Sequence, residues 1–313
     1  MRTSELDYEL PPELIAQRPL EQRDESRLLV FDRSTGSVEH GRFRDLAKHL
    51  TSETLVVVND TRVLPARLML ERPTGGRTEI LLLERIEGEV WEALARPSRR
   101  LRAGMTLGPV ELLESLGEGR WRLRLEGEPR GVAPLPPYIT EPLADAERYQ
   151  TVYAEESGSA AAPTAGLHFT PELLASLDVE RVTLHVGLDT FRPLTAETLA
   201  EHRLHSERYE VGQDAWARIE AARHVTAVGT TTVRVLESVA RGAPLSGRTE
   251  LFVTPGFDFE RADSLVTNFH LPRSSLLALV MAFAGVEETR RLYETAIAER
   301  YRFYSFGDAM LVR

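Results

Sequence analysis

The sequence predicts a mixed α/β fold. A discontinuous α/β main domain covers residues 1–65 and 151–313, and a small all-β barrel domain is inserted at 66–150. Three observations predict it. Leu55-Val56-Val57-Val58 is a continuous apolar run that stops at Asn59-Asp60-Thr61-Arg62, as a strand covered on both faces does. Between Arg67 and Glu128 the texture changes to short β-rich runs separated by Gly and Pro, with no long helical period, the pattern of a small barrel or sandwich. Beyond about residue 150 helical and strand periods alternate again, as βαβ units do. At 313 residues the chain exceeds what one ordinary core takes, which agrees with two domains.

In chain order, residues 12–18 predict a short helix that Pro19 stops. A strand follows at 27–32, with Ser34-Thr35-Gly36-Ser37 as its turn. The insert contributes strands at 78–83, 90–95, 105–107, 110–113 and 121–125. Pro134-Leu135-Pro136-Pro137-Tyr138 reads as a rigid return linker. Residues 171–177 predict a helix capped by Thr170, and 182–186 a strand. Residues 214–224 predict a helix with Asp214 at its N-cap. The strand at 225–228 runs through Gly229-Thr230-Thr231-Thr232 into a helix at 233–240. An apolar strand at 264–266 precedes a helix that Ser274 caps and that ends near Gly285, and 287–302 is a last amphipathic helix.

Composition narrows the chemistry. There is no cysteine, so no disulfide frame, thiolate nucleophile or Cys-ligated metal. The 38 basic residues include a single lysine, Lys48, whose Leu46-Ala47-Lys48-His49-Leu50 context fits neither a Walker loop nor a Schiff base. A GC-rich genome or a hot habitat is the plain account of that arginine bias. A net charge of −10 excludes a general polycation but allows a local basic patch. The N-terminus has no signal-type apolar core, and the run at 276–286 is about half the roughly 20 residues a membrane helix needs. A cytoplasmic protein is expected.

Several stretches are candidates for chemistry. Polar residues just past a buried strand, as at Asn59 to Arg62, sit where open α/β sheets bind ligands, with an ordinary Asx turn as the alternative. Ala161-Ala162-Pro163-Thr164-Ala165-Gly166-Leu167-His168-Phe169 gives small residues and a histidine. His185-Val186-Gly187-Leu188-Asp189-Thr190-Phe191-Arg192-Pro193 is another strand end. His202, His205 and Glu207 invite a metal reading if the histidines share a helical face, although a solvated polar turn explains them too. Gly229-Thr230-Thr231-Thr232-Val233-Arg234 offers backbone N–H groups and hydroxyls to an anion, or plain threonine capping. Asn268 and His270 lie between an apolar strand and an apolar helix, so they form either a satisfied network or a site. Asp308, after Gly307, is a candidate orienting acid. In the β insert, Arg96-Pro97-Ser98-Arg99-Arg100-Leu101-Arg102 contains no acidic residue and is the best candidate for phosphate contact, a solvated charge run being the alternative.

Taken together these stretches closely resemble the S-adenosylmethionine:tRNA ribosyltransferase-isomerase family of queuosine biosynthesis. The resemblance starts at Leu6-Asp7-Tyr8-Glu9-Leu10-Pro11 and Arg23-Asp24-Glu25-Ser26-Arg27-Leu28-Leu29. It runs through Val57 to Arg67, Tyr149-Gln150-Thr151-Val152-Tyr153, Ala161 to Phe169, His185 to Pro193, His205-Ser206-Glu207 and Gly229 to Glu237, and ends with Thr267 to Pro272 and Tyr301 to Met310. Coverage is nearly end to end, weakest across the insert.

The resemblance implies an α/β domain with a barrel insertion. It also implies transfer and isomerisation of the ribosyl part of S-adenosylmethionine onto 7-aminomethyl-7-deazaguanine at the tRNA wobble position, giving epoxyqueuosine, adenine and methionine. The partners expected are S-adenosylmethionine, as a substrate, and that tRNA. No metal, other cofactor, membrane or obligatory protein partner is expected, and members are expected to be monomers.

A cleft bounded by four strand ends would hold the substrate. His168, His185 and His270 are the acid–base candidates. Asn59, Asp60, Arg62, Thr164, Arg192, Gly229, Thr230, Thr231, Arg234, Glu237, Asn268 and Asp308 are the substrate-binding candidates, and Arg96, Arg99, Arg100 and Arg102 the tRNA-binding ones. Two departures stand out. Asp189 replaces a glycine usual in that segment, and the chain is trimmed around 177–181 and 241–248. Two rival readings belong to other classes. A metal-dependent hydrolase would use His202, His205 and another histidine, and would carry stoichiometric metal. A non-catalytic RNA-binding protein would bind tRNA yet release no adenine.

Overall fold

The computed structural model describes residues 1–72, 75–187 and 193–313. Strands β1 (Arg27–Asp32) and β2 (Ser37–Arg42) form a hairpin, followed by β3 (Thr54–Asn59) and β4 (Thr61–Val63). The insert supplies β5 (Arg67–Glu71), β6 (Arg77–Glu87), β7 (Val90–Arg96), β8 (Thr106–Leu107), β9 (Val110–Gly117) and β10 (Arg120–Leu125). Then come β11 (Glu156–Ser159), α1 (Pro171–Ala175), β12 (Val179–Leu184), β13 (Glu207–Glu210), α2 (Gln213–Ala221) and β14 (His224–Val228). The chain closes with α3 (Thr230–Ala240), β15 (Ser246–Thr249), β16 (Ser264–Asn268), α4 (Ser275–Ala284), α5 (Val286–Ala298) and β17 (Ala309–Val312).

The main sheet has nine strands in the order β15-β13-β12-β3-β14-β16-β17-β1-β2. Its middle four, β12, β3, β14 and β16, are mutually parallel, so their carboxyl ends gather along one edge. The alternation of β3 explains its unbroken apolar run. Val57 faces a core with Leu29, Phe31, Ala227, Val235 and Val280, while Val56 and Val58 face a second core with Leu28, Val228 and Val266. A strand sandwiched this way has no solvated face to mark with polar residues. The mixed α/β class with an inserted all-β barrel-like unit is what the structure has.

The insert is a six-stranded antiparallel sheet, β5-β6-β7-β10-β9-β8, with its own core of Ile80, Leu82, Trp91, Leu112, Trp121 and Leu123. It curls until Gly108 in the β8–β9 turn faces Leu70 of β5, where an added Cβ would lie 3.9 Å from the leucine side chain. Strand β10 alternates inward Trp121, Leu123 and Leu125 with outward arginines. Those pair across strands, Arg120 with Glu92 at 2.7 Å, Arg122 with Glu114 at 2.9 Å and Arg124 with Glu111 at 2.5 Å.

Several local expectations are corrected. Residues 12–18 hold only a 3-10 turn at Pro12–Leu14, and Ile15 instead bridges to Phe303; the Ala16 amide and the Leu14 carbonyl are taken by Phe303 at 3.2 and 2.8 Å, which leaves them no helical partners. Asp214 lies inside the first turn of α2, whose N-cap is Gly212. Helix α3 starts at Thr230, not 233, with Gly229 as its N-cap at φ +92°. Residues 202–206 are irregular, not helical, so His202 and His205 share no helical face. The Thr170 and Ser274 caps form as expected, their hydroxyls accepting from Leu173 N at 3.2 Å and Leu277 N at 3.1 Å.

Candidate active site

A cavity of about 940 Å³ opens between the β6–β7 hairpin of the barrel and the carboxyl edge of the main sheet. His185, Gly187, Glu207, Thr231 and Arg234 line it from the sheet side, Glu84, Arg85 and Trp91 from the barrel. The volume lies at the upper end of small-molecule sites, about 300–1,000 Å³. Arg248 of β15 reaches across to Glu84 at 2.5 Å while its other nitrogens bind Ser206.

His185 follows directly on β12 and is half-buried. Its Nδ1 lies 2.8 Å from Thr61 Oγ1. That hydroxyl donates to the Glu156 carbonyl at 3.4 Å, so it accepts from Nδ1–H, and the lone pair of the ring falls on Nε2. Burial first, then the neighbouring Arg208, pushes the imidazole below its usual 6.5. It is therefore neutral, and a base, at pH 7. Gly158 of β11 lies against the ring. A Cβ there would sit 2.7–2.8 Å from three ring atoms, so only glycine fits.

Behind His185 a buried ion pair shapes the wall. Arg234 of α3 pairs with Glu207 of β13, both under 10% exposed. Arg234 also donates to the carbonyls of Leu251 at 2.9 Å and Thr249 at 3.2 Å, and Glu207 accepts from Gly187 N at 2.8 Å. A pair this buried needs such extra bonds to offset the loss of water. Glu207 thus fixes Gly187, two residues past His185, a role that the metal reading of the sequence does not foresee. Among the described residues no three His, Asp or Glu side chains are placed to hold a metal ion. His202 packs edge-on against Phe252 at 5.5 Å.

Two of the three nominated histidines lie elsewhere. His168 is 4% exposed, with Nε2 3.1 Å from Asn268 Nδ2 and its ring also bonded to the Arg23 backbone. Asn268 accepts from Thr164 Oγ1 at 2.9 Å. His270 Nε2 lies 2.6 Å from Thr267 Oγ1, its amide donates to Tyr293 OH at 3.0 Å, and the Tyr8 hydroxyl donates to its carbonyl at 2.5 Å. Burial pushes both imidazoles down to about 3. Neither lines the cavity.

The other nominated residues divide similarly. Thr231 and Arg234 line the cavity, with Gly229 and Thr230 immediately before them. Asn59 forms the Asx turn named as the plain alternative, accepting from Thr61 N at 3.2 Å and Leu184 N at 3.0 Å. Asp60 accepts from Thr183 Oγ1 at 2.7 Å, and Arg62 pairs with Glu147 at 2.6 Å. Glu237 accepts from three amides, those of Glu260, Arg261 and Ala262, at 2.8–3.0 Å, and clamps the loop before β16. Asp308 accepts from the amides of Arg27 and Arg302, each at 2.8 Å. These two acids are spent on backbone and do not reach the cavity. Arg192 and Asp189 lie outside the described residues. Arg96, Arg99, Arg100 and Arg102 are all exposed. They sit at the far end of β7 from the cavity, because Arg96 pairs with Glu79 while Trp91 pairs with Arg85.

A mixed α/β sheet, an inserted barrel and a polar cavity between them lined by His185 are the architecture of a two-part α/β enzyme. The chain belongs to the queuosine biosynthesis protein family, which matches residues 3–312. A relative from Rubrobacter xylanophilus named S-adenosylmethionine:tRNA ribosyltransferase-isomerase is 54% identical over all of this chain and 98% of its own. One of the same name from Carboxydothermus hydrogenoformans is 51% identical over the whole of both chains. A crystal structure of an S-adenosylmethionine tRNA ribosyltransferase from Thermotoga maritima superposes with a TM-score of 0.59 at 38% identity, covering 99% of this chain and 100% of that one. Among the described residues no helix is long and apolar enough to cross a membrane.

Proposed function

We propose that this chain transfers and isomerises the ribosyl part of S-adenosylmethionine onto 7-aminomethyl-7-deazaguanine at the tRNA wobble position, yielding epoxyqueuosine, adenine and methionine. Full-length identity to relatives bearing that name supports the reading. The observation that carries the site assignment is His185, its Nδ1 beside the buried Thr61 hydroxyl, lining the 940 Å³ cavity. The reaction needs no cofactor beyond the nucleotide substrate itself.

The sulfonium charge of that substrate acidifies the adjacent ribose C5′–H, and a neutral imidazole takes such a proton well when positioned against it. His185, with Nδ1–H held by Thr61 and Nε2 carrying the lone pair, is that base. The methionine carboxylate suits the start of α3, where Gly229 leaves the first amides without a side-chain cap and Thr231 lines the cavity. Helix N-termini of this kind favour anions. Arg234 positions the wall through Glu207.

Adenine release from S-adenosylmethionine in the presence of substrate tRNA tests the assignment. His185→Ala is expected to lose about 10²–10⁴-fold in turnover, the usual worth of a general base, with the fold intact. Near wild-type adenine release from that variant overturns the role given to His185. Tight tRNA binding with no adenine release by the wild-type chain overturns the reaction itself.

A further inference from the structure

A second polar crevice shares no lining residue with the main cavity. Arg23, Ser26, Arg148, His168, Ser305 and Gly307 are among its walls. It draws on the Arg23-Asp24-Glu25-Ser26-Arg27 stretch, which the proposed reaction leaves without a task. Its enclosed space is about 20 Å³, room for one oxygen-sized group, so a tetrahedral anion would seat one oxygen there and keep the others at the mouth.

Ser26 is 1% exposed, and its hydroxyl has no hydrogen-bond partner among the described residues. Beside it stand two guanidinium groups. Arg23 donates to the carbonyls of Leu167 at 3.1 Å and Glu147 at 3.0 Å, and Arg148 donates to the Leu20 carbonyl. Each guanidinium has five N–H donors, so most of them remain available. A third, Arg302, is close enough for its charge to act on His168, and its Nη1 is buried without a partner among the described residues.

Asp145 and Glu147 lie near enough for their charges to favour the Arg23 guanidinium, yet among the described residues neither is ion-paired with it. Asp145 accepts from Glu147 N at 2.9 Å, Glu147 pairs with Arg62, and Asp308 holds two backbone amides. His168 is neutral with both ring nitrogens engaged. Like charges gathered in a part-buried crevice with an idle hydroxyl call for an anion.

We infer that this crevice is a binding site for a phosphate-class oxyanion, held by the Ser26 hydroxyl and the Arg23 and Arg148 guanidiniums. The planar fork of arginine matches phosphate oxygens two at a time, and the hydroxyl supplies a third donor. The oxyanion is either a backbone phosphodiester of the RNA substrate or free phosphate. The first source rests on the function proposed above and the second does not.

Inorganic phosphate binding to the full chain, measured by calorimetry at constant ionic strength against chloride, tests the site. Ser26→Ala removes one hydroxyl with little change of shape and is expected to weaken phosphate about tenfold, the scale of a hydrogen bond to a charged group. Arg148→Gln is expected to weaken it by at least as much. Arg122→Gln, on the barrel surface, leaves it unchanged. No preference for phosphate over chloride, or equal affinity in all four proteins, overturns the site and leaves the crevice to water.

The source is read from the salt dependence of tRNA binding. A slope of log affinity against log salt that flattens by about one in Arg148→Gln assigns the crevice to RNA backbone. An unchanged slope with weakened phosphate binding assigns it to the free anion. Phosphate binding is read without tRNA or turnover, so it stands or falls separately from the ribosyl-transfer reading.

Discussion

Three histidines that look alike in the sequence differ in what surrounds them. His185 ends a strand beside a threonine hydroxyl and a cavity, whereas His168 and His270 are walled in and titrate near 3. Their unfolded value is about 6.5, so between about 3 and 6.5 the unfolded chain binds more protons than the folded one. Stability from these two is therefore complete above about 6.5 and is lost as pH falls toward 3, at about 1.4 kcal/mol per pH unit for each. In urea unfolding between pH 4.5 and 7, His168→Gln is expected to reduce the pH slope by about that amount; an unaltered slope rejects a buried neutral His168. The same sign applies to activity. With the His185 imidazole held below 6.5, adenine release falls on the acid side only once pH drops beneath 6.5, and an acid limb centred above 7 excludes it as the base. The sequence marked His168 after a run of small residues, His185 at a strand end and His270 between an apolar strand and an apolar helix. It did not separate them, because Asn268, Thr267 and Thr61 meet their rings only through tertiary contact.

Among the elements, the buried parallel strands and the capped helices were legible, since β3 carries an unbroken apolar run, β14 and β16 carry short apolar stretches beside threonine, and α1 and α4 carry hydroxyl caps. The short strands β13 and β15 at one end of the sheet were not. Their Glu-Arg-Tyr-Glu and Ser-Gly-Arg-Thr sequences carry little apolar signal, and pairing with a neighbour makes them strands. Strand β11 was missed for the same reason, yet it presses Gly158 against the His185 imidazole. Gly158→Ala is expected to displace that ring, lowering kcat by at least tenfold while costing about 1–3 kcal/mol of stability, as overpacking does. A variant with unchanged kcat shows that the ring does not need this contact. The Glu207–Arg234 pair links β13 to α3 behind the same ring. Glu207→Ala leaves a buried guanidinium uncompensated and is expected to lower stability by about 3–5 kcal/mol in denaturant unfolding; a change under 1 kcal/mol contradicts the burial of the pair.

For the molecule as a whole, the two-part organisation was readable because the insert changes period as well as composition. The placement of the cavity was not, since it depends on how the barrel hairpin meets the sheet edge. The ion pair spanning that gap, Glu84–Arg248, is about half exposed, and such pairs contribute about 0–1 kcal/mol, a weak tie between barrel and sheet. At the other end of β7 lie the exposed arginines, several residues removed from the cavity. Reversing Arg99 and Arg100 to Glu is expected to weaken tRNA binding and to flatten its salt dependence, by about one unit of slope for each phosphate these arginines neutralise; unchanged affinity removes this patch from the interface. Strand β17 sets one further condition. It lies between β16 and β1, pairing Leu28 with Ala309 across about 280 positions. On the ribosome, at about 5–20 residues per second, the β1–β2 hairpin must wait tens of seconds before the strand that docks it into the sheet has been made. Throughout that interval its apolar side chains lack their final neighbours, making nascent-chain protection a requirement of this topology.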